Sequence, residues 1–306
     1  MSARLVCCGL ATLDVVQVVD ALPGPDEKVV ARGASLAFGG PAANAAATAV
    51  ALGVPTVLVT ALGTGLVADA VRAGLAARGV EVVDLIEGRP GAPAVSTVLV
   101  TRSTGQRAVV SVNATGVERL GAAAAGVADA VVRGADALLL DGHHLAAGVA
   151  LAAAARGDGV PVLLDGGSWK PGLEELLALV DHAVLSADFA VDPGVTPAGE
   201  DALDAVATLG PATVARSAGG GPLRWRSADG TRGVVRPPAI PPGEVVDTLG
   251  AGDVLHGAFA AHVARGSDVP SALAAAVEVA SASVRHAGAL GWVDALGGPA
   301  TEPGAR

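Results

Sequence analysis

Short apolar runs alternate along this chain with stretches whose small apolar residues recur at helical spacing. The runs at 5–10, 55–62, 137–140, 161–165, 182–186 and 212–216 read as strands. Between and after them, 41–52, 67–78, 145–156, 172–180 and 255–265 read as helices, with Gly79 as a stop signal for the second. Strands with no polar alternation are buried on both faces. Set between helices, they predict a mostly parallel sheet covered on both sides, an α/β sandwich of the doubly wound kind. A chain of 306 residues with this one repeating pattern is expected to form a single domain over 1–306.

Two places break the alternation. Residues 27–37 carry charge among apolar positions, and 92–112 read strand, turn, strand, with Ser103-Thr104-Gly105-Gln106 at the bend. A hairpin inserted into a βαβ series stands off the main sheet, so a small β lid built from about 14–37 and 92–112 is expected over the strand ends, where it would exclude water. The same pattern also fits an ordinary edge hairpin. Val98, Val100 and Val110 alternate with polar residues, which assigns them to an outer face able to pack on a partner lid as a homodimer.

Composition narrows the class. The formal net charge of −10 argues against a nucleic-acid partner, and with no Tyr and few Phe or Trp there is little to stack on bases. The apolar opening at 5–22 is interrupted by Asp14, Gln17 and Asp20, and lacks the basic leader of a signal peptide. It reads as a buried strand followed by a turn, in a soluble cytoplasmic protein with no membrane partner. The adjacent Cys7 and Cys8 fit neither a disulfide nor a zinc site.

The strongest chemical signal is Asp247-Thr248-Leu249-Gly250-Ala251-Gly252-Asp253, running into a helix. Gly250 and Gly252 let backbone N–H groups approach a ligand, and the helix start adds its dipole, which makes an anion site. A carboxylate beside such a site makes sense if Asp253 removes a proton from a hydroxyl that attacks phosphate. Asp is also a common N-cap, and the turn alone would favour that plainer role. The flanking Asp-Thr and a second glycine pair upstream, Gly39-Gly40-Pro41-Ala42-Ala43-Asn44, tip the balance. Pro41 suits a first helical position, and Asn44, a mediocre helix former one turn in, is there for its amide or bonds a neighbouring loop.

These motifs resemble the ribokinase-like (PfkB) carbohydrate kinases over essentially the whole chain. The family signature Asp-Thr-x-Gly-Ala-Gly-Asp stands intact at 247–253, its Gly-Gly-x-x-x-Asn at 39–44, and Asp14 stands where the family carries a sugar-binding Asp. Short segments are similar to ketohexokinase-like and sulfofructose-kinase-like members. The resemblance implies a three-layer ribokinase-like sandwich and transfer of the γ-phosphate of ATP to a sugar hydroxyl. It implies Asp253 as base, with Gly250, Ala251 and Gly252 as the anion hole. Asp14, Gly39, Gly40 and Asn44 would hold sugar hydroxyls, with Arg107 or Asn113 reaching in from the lid. Thr248 and the loop Ser217, Gly219 and Gly221 would meet the nucleotide, and Ser283, Ala287 and Gly288 would lie along the adenine pocket. Mg²⁺ is implied, as is a monovalent cation such as K⁺ beside Asp247. The helix start predicts a depressed pKa for Asp253, tolerable where the proton leaves late in a loose transition state.

Departures qualify the match. The family's Asn-x-x-Glu is here Ser186-Ala187-Asp188-Phe189, so Asp188 is the candidate substitute in metal handling. The nucleotide loop has lost its usual Thr and first Gly, and Pro41 stands where ribokinases proper have Lys, which counts against ribose. Nucleosides fit as an alternative acceptor. Another class is open too: Gly63-Thr64-Gly65-Leu66-Val67-Ala68 fits G-x-G-x-x-A, with Glu81 and Asp84 at the spacing of a ribose-binding acid in an NAD-dependent dehydrogenase. That reading leaves Asp253 unexplained. A non-catalytic sugar-binding regulator would not need the intact Asp253. His143-His144 lack metal spacing, and Trp169 and Lys170 are expected in a loop facing the site.

Overall fold

Successive side chains of a strand point to opposite faces, and in the central strands of this chain both sets are apolar. Leu5 and Cys7 enter one hydrophobic cluster while Val6 and Cys8 enter a second on the other side of the sheet. The computed structural model describes residues 3–91, 93–103, 106–112, 120–191 and 200–296. In chain order the elements are β1 (Leu5–Cys8), β2 (Thr12–Val19), β3 (Gly33–Gly39), α1 (Pro41–Ala51), β4 (Thr56–Thr60), α2 (Leu66–Ala77), β5 (Glu81–Asp84), β6 (Ala94–Thr101) and β7 (Arg107–Ser111). There follow α3 (Leu120–Val132), β8 (Ala137–Leu140), α4 (Leu145–Gly157), β9 (Val162–Gly166), α5 (Leu173–Leu177), β10 (His182–Leu185), α6 (Glu200–Ala207) and β11 (Thr213–Ala218). Then come β12 (Gly221–Ser227), β13 (Arg232–Val235), α7 (Ala251–Ala264), α8 (Val269–Ser283) and α9 (Gly291–Leu296).

The main sheet has nine strands in the order β13-β12-β11-β10-β9-β8-β1-β4-β5. From β11 to β5 every pairing is parallel, and β12 and β13 extend the sheet antiparallel. Helices α1, α2, α7 and α8 cover one face and α3 to α6 the other, giving the expected three layers. None of the described helices is long and apolar enough to cross a membrane.

A second sheet of four strands, in the order β3-β2-β6-β7, stands apart. The first apolar run therefore does not end in a turn: after Gly9 it passes from the main sheet into β2 of the small one. The stretch at 27–37 yields a strand only from Gly33. Registers correct the expected outer face. Asp14 pairs with Ser96, and Val98 and Val100 pair with Val109 and Arg107, so Asp14, Val98, Val100 and Arg107 share one side. Val110 pairs with Thr97, itself opposite Val15 and thus Leu36, on the other side. Val98 is buried, whereas Leu36 is 68% and Val110 73% exposed.

Candidate active site

Two helix starts meet above the C-terminal ends of the central strands. The first belongs to α1. A Cβ on Gly40, whose φ is +96°, would lie 2.4 Å from the carbonyl oxygen of Leu10, so the chain leaving β1 and the chain entering α1 touch backbone to backbone. A Cβ on Gly39 would fall 2.1 Å from the Asp14 carboxylate. The glycine pair is thus the room that Asp14 and the end of β1 occupy. Asp141, buried just beyond β8, fastens the junction by accepting from the N–H groups of Leu10 at 2.8 Å, Ala42 at 3.2 Å and His143 at 2.9 Å.

The second start belongs to α7. Gly250 has the left-handed φ of +72°, and a Cβ there would meet that of Ala289 at 2.3 Å, whereas a Cβ on Gly252 would meet nothing. Gly250 is needed by the fold, and Gly252 opens on free space. The N–H groups of Gly252 and Asp253 have no hydrogen-bond partner among the described residues, as the first turn of a helix leaves them. Asp247 fixes the approach to this turn, accepting from the N–H of Leu249 and of Gly288, each at 2.8 Å.

The two starts are held together by helix packing. A Cβ on Gly257 would sit 2.4 Å from the carbonyl oxygen of Ala45, so α1 and α7 approach at backbone contact. Asn44 therefore reaches Asp253, its Nδ2 donating to Oδ2 at 2.7 Å. The Asn44 Oδ1 is buried with no partner in the same place, an acceptor left for something that brings its own proton.

Beyond the α7 turn lies a cavity of about 840 Å³, large enough for a nucleotide-sized ligand. Ser217, Gly219, Gly221 and Thr248 line it together with apolar residues such as Val277 and Val284. On the other side of Asp253 stand Asp14, whose Oδ1 accepts from Thr12 Oγ1 at 2.7 Å, and Asn44. The site thus has a chamber bordered by Gly252, next to Asp253 in sequence, and, at the start of α1, polar groups suited to hydroxyls, of which Asn44 touches Asp253.

The residues 2–294 match the model of the pfkB family carbohydrate kinases. The chain belongs to that family. It is accordingly a phosphotransferase that acts on a sugar hydroxyl. A curated ribokinase of Arabidopsis thaliana is 27% identical over 298 residues, 94% of this chain and 77% of that protein. The structure of the Arabidopsis ribokinase complexed with ribose and ATP superposes with a TM-score of 0.73 at 24% identity, covering 95% of this chain and 96% of that one. A ribokinase from Giardia lamblia gives 0.78 at 17% identity, covering 97% and 99%. A microbiome-derived acarbose kinase gives 0.78 at 18% identity, covering 93% of each chain. At these identities the structures bear on fold alone, and their agreement is with a ribokinase-like sandwich.

Several residues stand elsewhere than the sequence suggested. Arg107 does not point to the sugar side: its Nη1 donates to Thr248 Oγ1 at 2.9 Å, lies 3.9 Å from Asp247, and borders the nucleotide-sized cavity. Ser283 faces inward, its Oγ donating to the Ala280 carbonyl at 2.8 Å, so Ser281 and Val284 line the cavity instead. Ala287 is exposed, and Gly288 is taken up by Asp247. Asp188 lies exposed after β10, and no three Asp, Glu, His or Cys among the described residues could hold a metal together. Asn113 lies outside the described residues. The dehydrogenase reading loses its acid: Asp84 accepts from the N–H groups of Leu62, Gly63 and Ile86 and pairs with Arg72 at 2.9 Å, closing its own turn.

The expected pKa of Asp253 was of the wrong sign. Burial and the charge of Asp165 push it up to about 7, against the hydrogen bond from Asn44 and the charge of His256, which pull it down. The helix start is outweighed by the desolvation of the half-buried carboxylate against α1 and by the charge of Asp165. Asp14 is also raised by burial, less the hydrogen bonds of Thr12 and Ser96. Sequence reasoning passed over Asp141, Asp165 and His256. An Asp at a strand's C-terminal end was the one signal available for the first two, and His256, three residues after Asp253, had none. A base with a pKa of about 7 must be ionised to act, so log(kcat/KM) is expected to fall with unit slope as pH drops through about 7. A profile flat down to pH 5 would remove Asp253 from that role.

Proposed function

We propose that this kinase transfers the γ-phosphoryl group of ATP to a hydroxyl of a small sugar, a ketose or a related carbohydrate, with Asp253 as the catalytic base. One observation carries the reading. A half-buried carboxylate, its pKa raised to about 7, sits at N–H groups of a helix start that are unpaired among the described residues, bonded to an Asn whose other amide atom is free. The ribose and ATP named for the Arabidopsis structure support both halves of it.

In this reading the sugar rests on Asp14, the Gly39–Gly40 backbone and Asn44, and the acceptor hydroxyl points at Asp253. The nucleotide fills the cavity beside Ser217, Gly219 and Gly221, with its phosphates at Gly250, Ala251 and Gly252. Asp253 takes the proton as the hydroxyl attacks in line, and the N–H groups of Gly252 and Asp253 meet the charge on the transferring group. Asp188 and Asp247 are the carboxylates proposed to hold Mg²⁺, which would neutralise charge on the phosphates when bound, since such an ion needs only one or two. A monovalent cation is proposed beside Asp247, whose two oxygens each accept one N–H and keep a lone pair. A purely binding regulator has no use for a carboxylate held at the point of ionisation.

ADP release measured over ketoses, aldoses and nucleosides tests the activity. One sugar class is expected to stimulate it, and Asp253→Asn to lose about 10²–10⁴-fold of the rate. Turnover by the variant within a few-fold of the parent protein would sink the base assignment, and stimulation by nucleosides alone would replace the sugar.

Arg107 belongs to the nucleotide in this reading: it leaves Thr248 for a phosphate oxygen when ATP arrives, tying closure of the small sheet to the phosphates. Arg107→Ala is expected to raise the KM for ATP about tenfold and that for sugar less than twofold, on the scale of one lost charged hydrogen bond. The reverse pattern would return Arg107 to the sugar side.

The exposed face of the small sheet bearing Leu36 and Val110 is proposed to pack on the same face of a second copy. Leu36→Asp is expected to convert a dimer to a monomer in size-exclusion chromatography with light scattering. A monomeric parent protein at micromolar concentration would dispose of this interface.

A further inference from the structure

His256 lies one turn beyond Asp253, fully inside the protein, and the chemistry described so far does not use it. Its Nε2 is 3.0 Å from the carbonyl oxygen of Val184 on β10, and its Nδ1 is 2.6 Å from the carbonyl oxygen of Gly252. The Asp165 Oδ2, at the end of β9, stands 3.2 Å from the same Nδ1. A backbone carbonyl can only accept. A neutral imidazole has a single N–H, so one of its nitrogens would turn a lone pair on a carbonyl oxygen. At 2.6 Å that arrangement is repulsive, so the close contact favours an N–H donor at Nδ1 as well as at Nε2. A ring protonated on both nitrogens satisfies both carbonyls, and Asp165 stands where a counter-charge would be.

The place of this ring gives it a task. The Gly252 carbonyl and the Asp253 N–H are the two ends of one planar trans peptide and point in opposite directions. That N–H is one of the two unpaired donors of the α7 turn. We propose that His256, held as an imidazolium against Asp165, is the positioning residue of this turn, gripping the Gly252 carbonyl so that the Asp253 N–H is aimed and polarised toward the transferring phosphoryl group. The inference rests on the kinase reading of that turn.

Burial holds the pKa of His256 below the ordinary imidazole value, while the Val184 carbonyl, the Asp253 carboxylate and the Gly252 carbonyl pull it back up. Burial and the Asp141 charge push Asp165 up, and Lys170 beyond it pulls the other way. The charged and titratable groups around the ring are thus Asp165 from β9, Asp253 from α7, Asp141 from the end of β8, and Lys170 from the loop after β9. The neighbouring group from α1, Asn44, is neutral. What decides the state is that a neutral ring would leave a carbonyl facing a lone pair within a dry site.

The test combines nitrogen NMR of histidine-labelled protein with kinetics. At about pH 8, above the ordinary imidazole range, His256 is expected to show two N–H groups in the parent protein and one in Asp165→Asn. Asp165→Asn and His256→Gln are both expected to lower kcat by about tenfold or more, since one preorganised donor is weakened. Their KM values for sugar and ATP should stay within about twofold of the parent. A pair that only braced the fold would lower the melting temperature and leave the kcat of the folded fraction unchanged. A singly protonated ring in the parent protein overturns the proposal even if neither variant folds, and so does a parental kcat in Asp165→Asn. Two ring protons in a protein that turns over no sugar or nucleoside would sink the kinase reading and leave the ring assignment standing.

Discussion

The site depends on how closely α1 and α7 can approach. With nothing larger than hydrogen at Gly257, the helix backbones touch at Ala45, and that contact sets the 2.7 Å bond between Asn44 and Asp253. Each helix start is in turn tied to a strand end. Asp141 binds α1 to the ends of β1 and β8 through three N–H groups, and Asp247 binds the α7 turn to the Gly288 loop. The N–H groups left unpaired at the α7 turn would be costly if they faced apolar matter. Gly252 borders instead a chamber that an anion can fill.

The same closeness governs the electrostatics. Asp141, Asp165 and the half-buried Asp253 share one neighbourhood, where Asp141 raises the proton affinity of both others and Asp165 that of Asp253. A carboxyl whose pKa rises on folding holds its proton more tightly in the native state. The stability this contributes is present at low pH and is lost as pH rises from the ordinary value of 3.8 through about 7. At neutral pH an ionised Asp253 is therefore a liability to the fold, a cost that its proposed role as base would explain.

Much of this was legible in the chain. Asp253, Asn44 and both glycine pairs were readable because backbone-dictated glycines and their polar neighbours sit within a few residues of each other. The parallel core was readable because strands such as Ala137–Leu140 are apolar on both faces. The antiparallel extension β12–β13 was missed although Leu223-Arg224-Trp225-Arg226 alternates apolar with polar residues, because that alternation spans only about four residues and is flanked by Gly and Pro. The path of β2 was missed because Gly9-Leu10-Ala11 does not look like a change of sheet. Arg107 stands on the small sheet but bonds Thr248, a contact the sequence did not suggest, for a long side chain on a strand can swing to either neighbour. The sign of the Asp253 shift, and the roles of Asp141, Asp165 and His256, arise from contacts spanning up to 209 residues of sequence, as between Asn44 and Asp253, and local pattern does not encode them.

Asp14 rides on β2, a strand of the cover, and β2 is the direct continuation of β1 in the floor. The residue proposed to hold the sugar is therefore part of the proposed cover. In that reading, opening the small sheet would withdraw the grip in the same movement, and departure of the phosphorylated product and parting of the cover would become one event. The slowest part of the cycle can then lie in letting go, and a tighter seam between Arg107 and the α7 turn would slow turnover without touching the bond that is made.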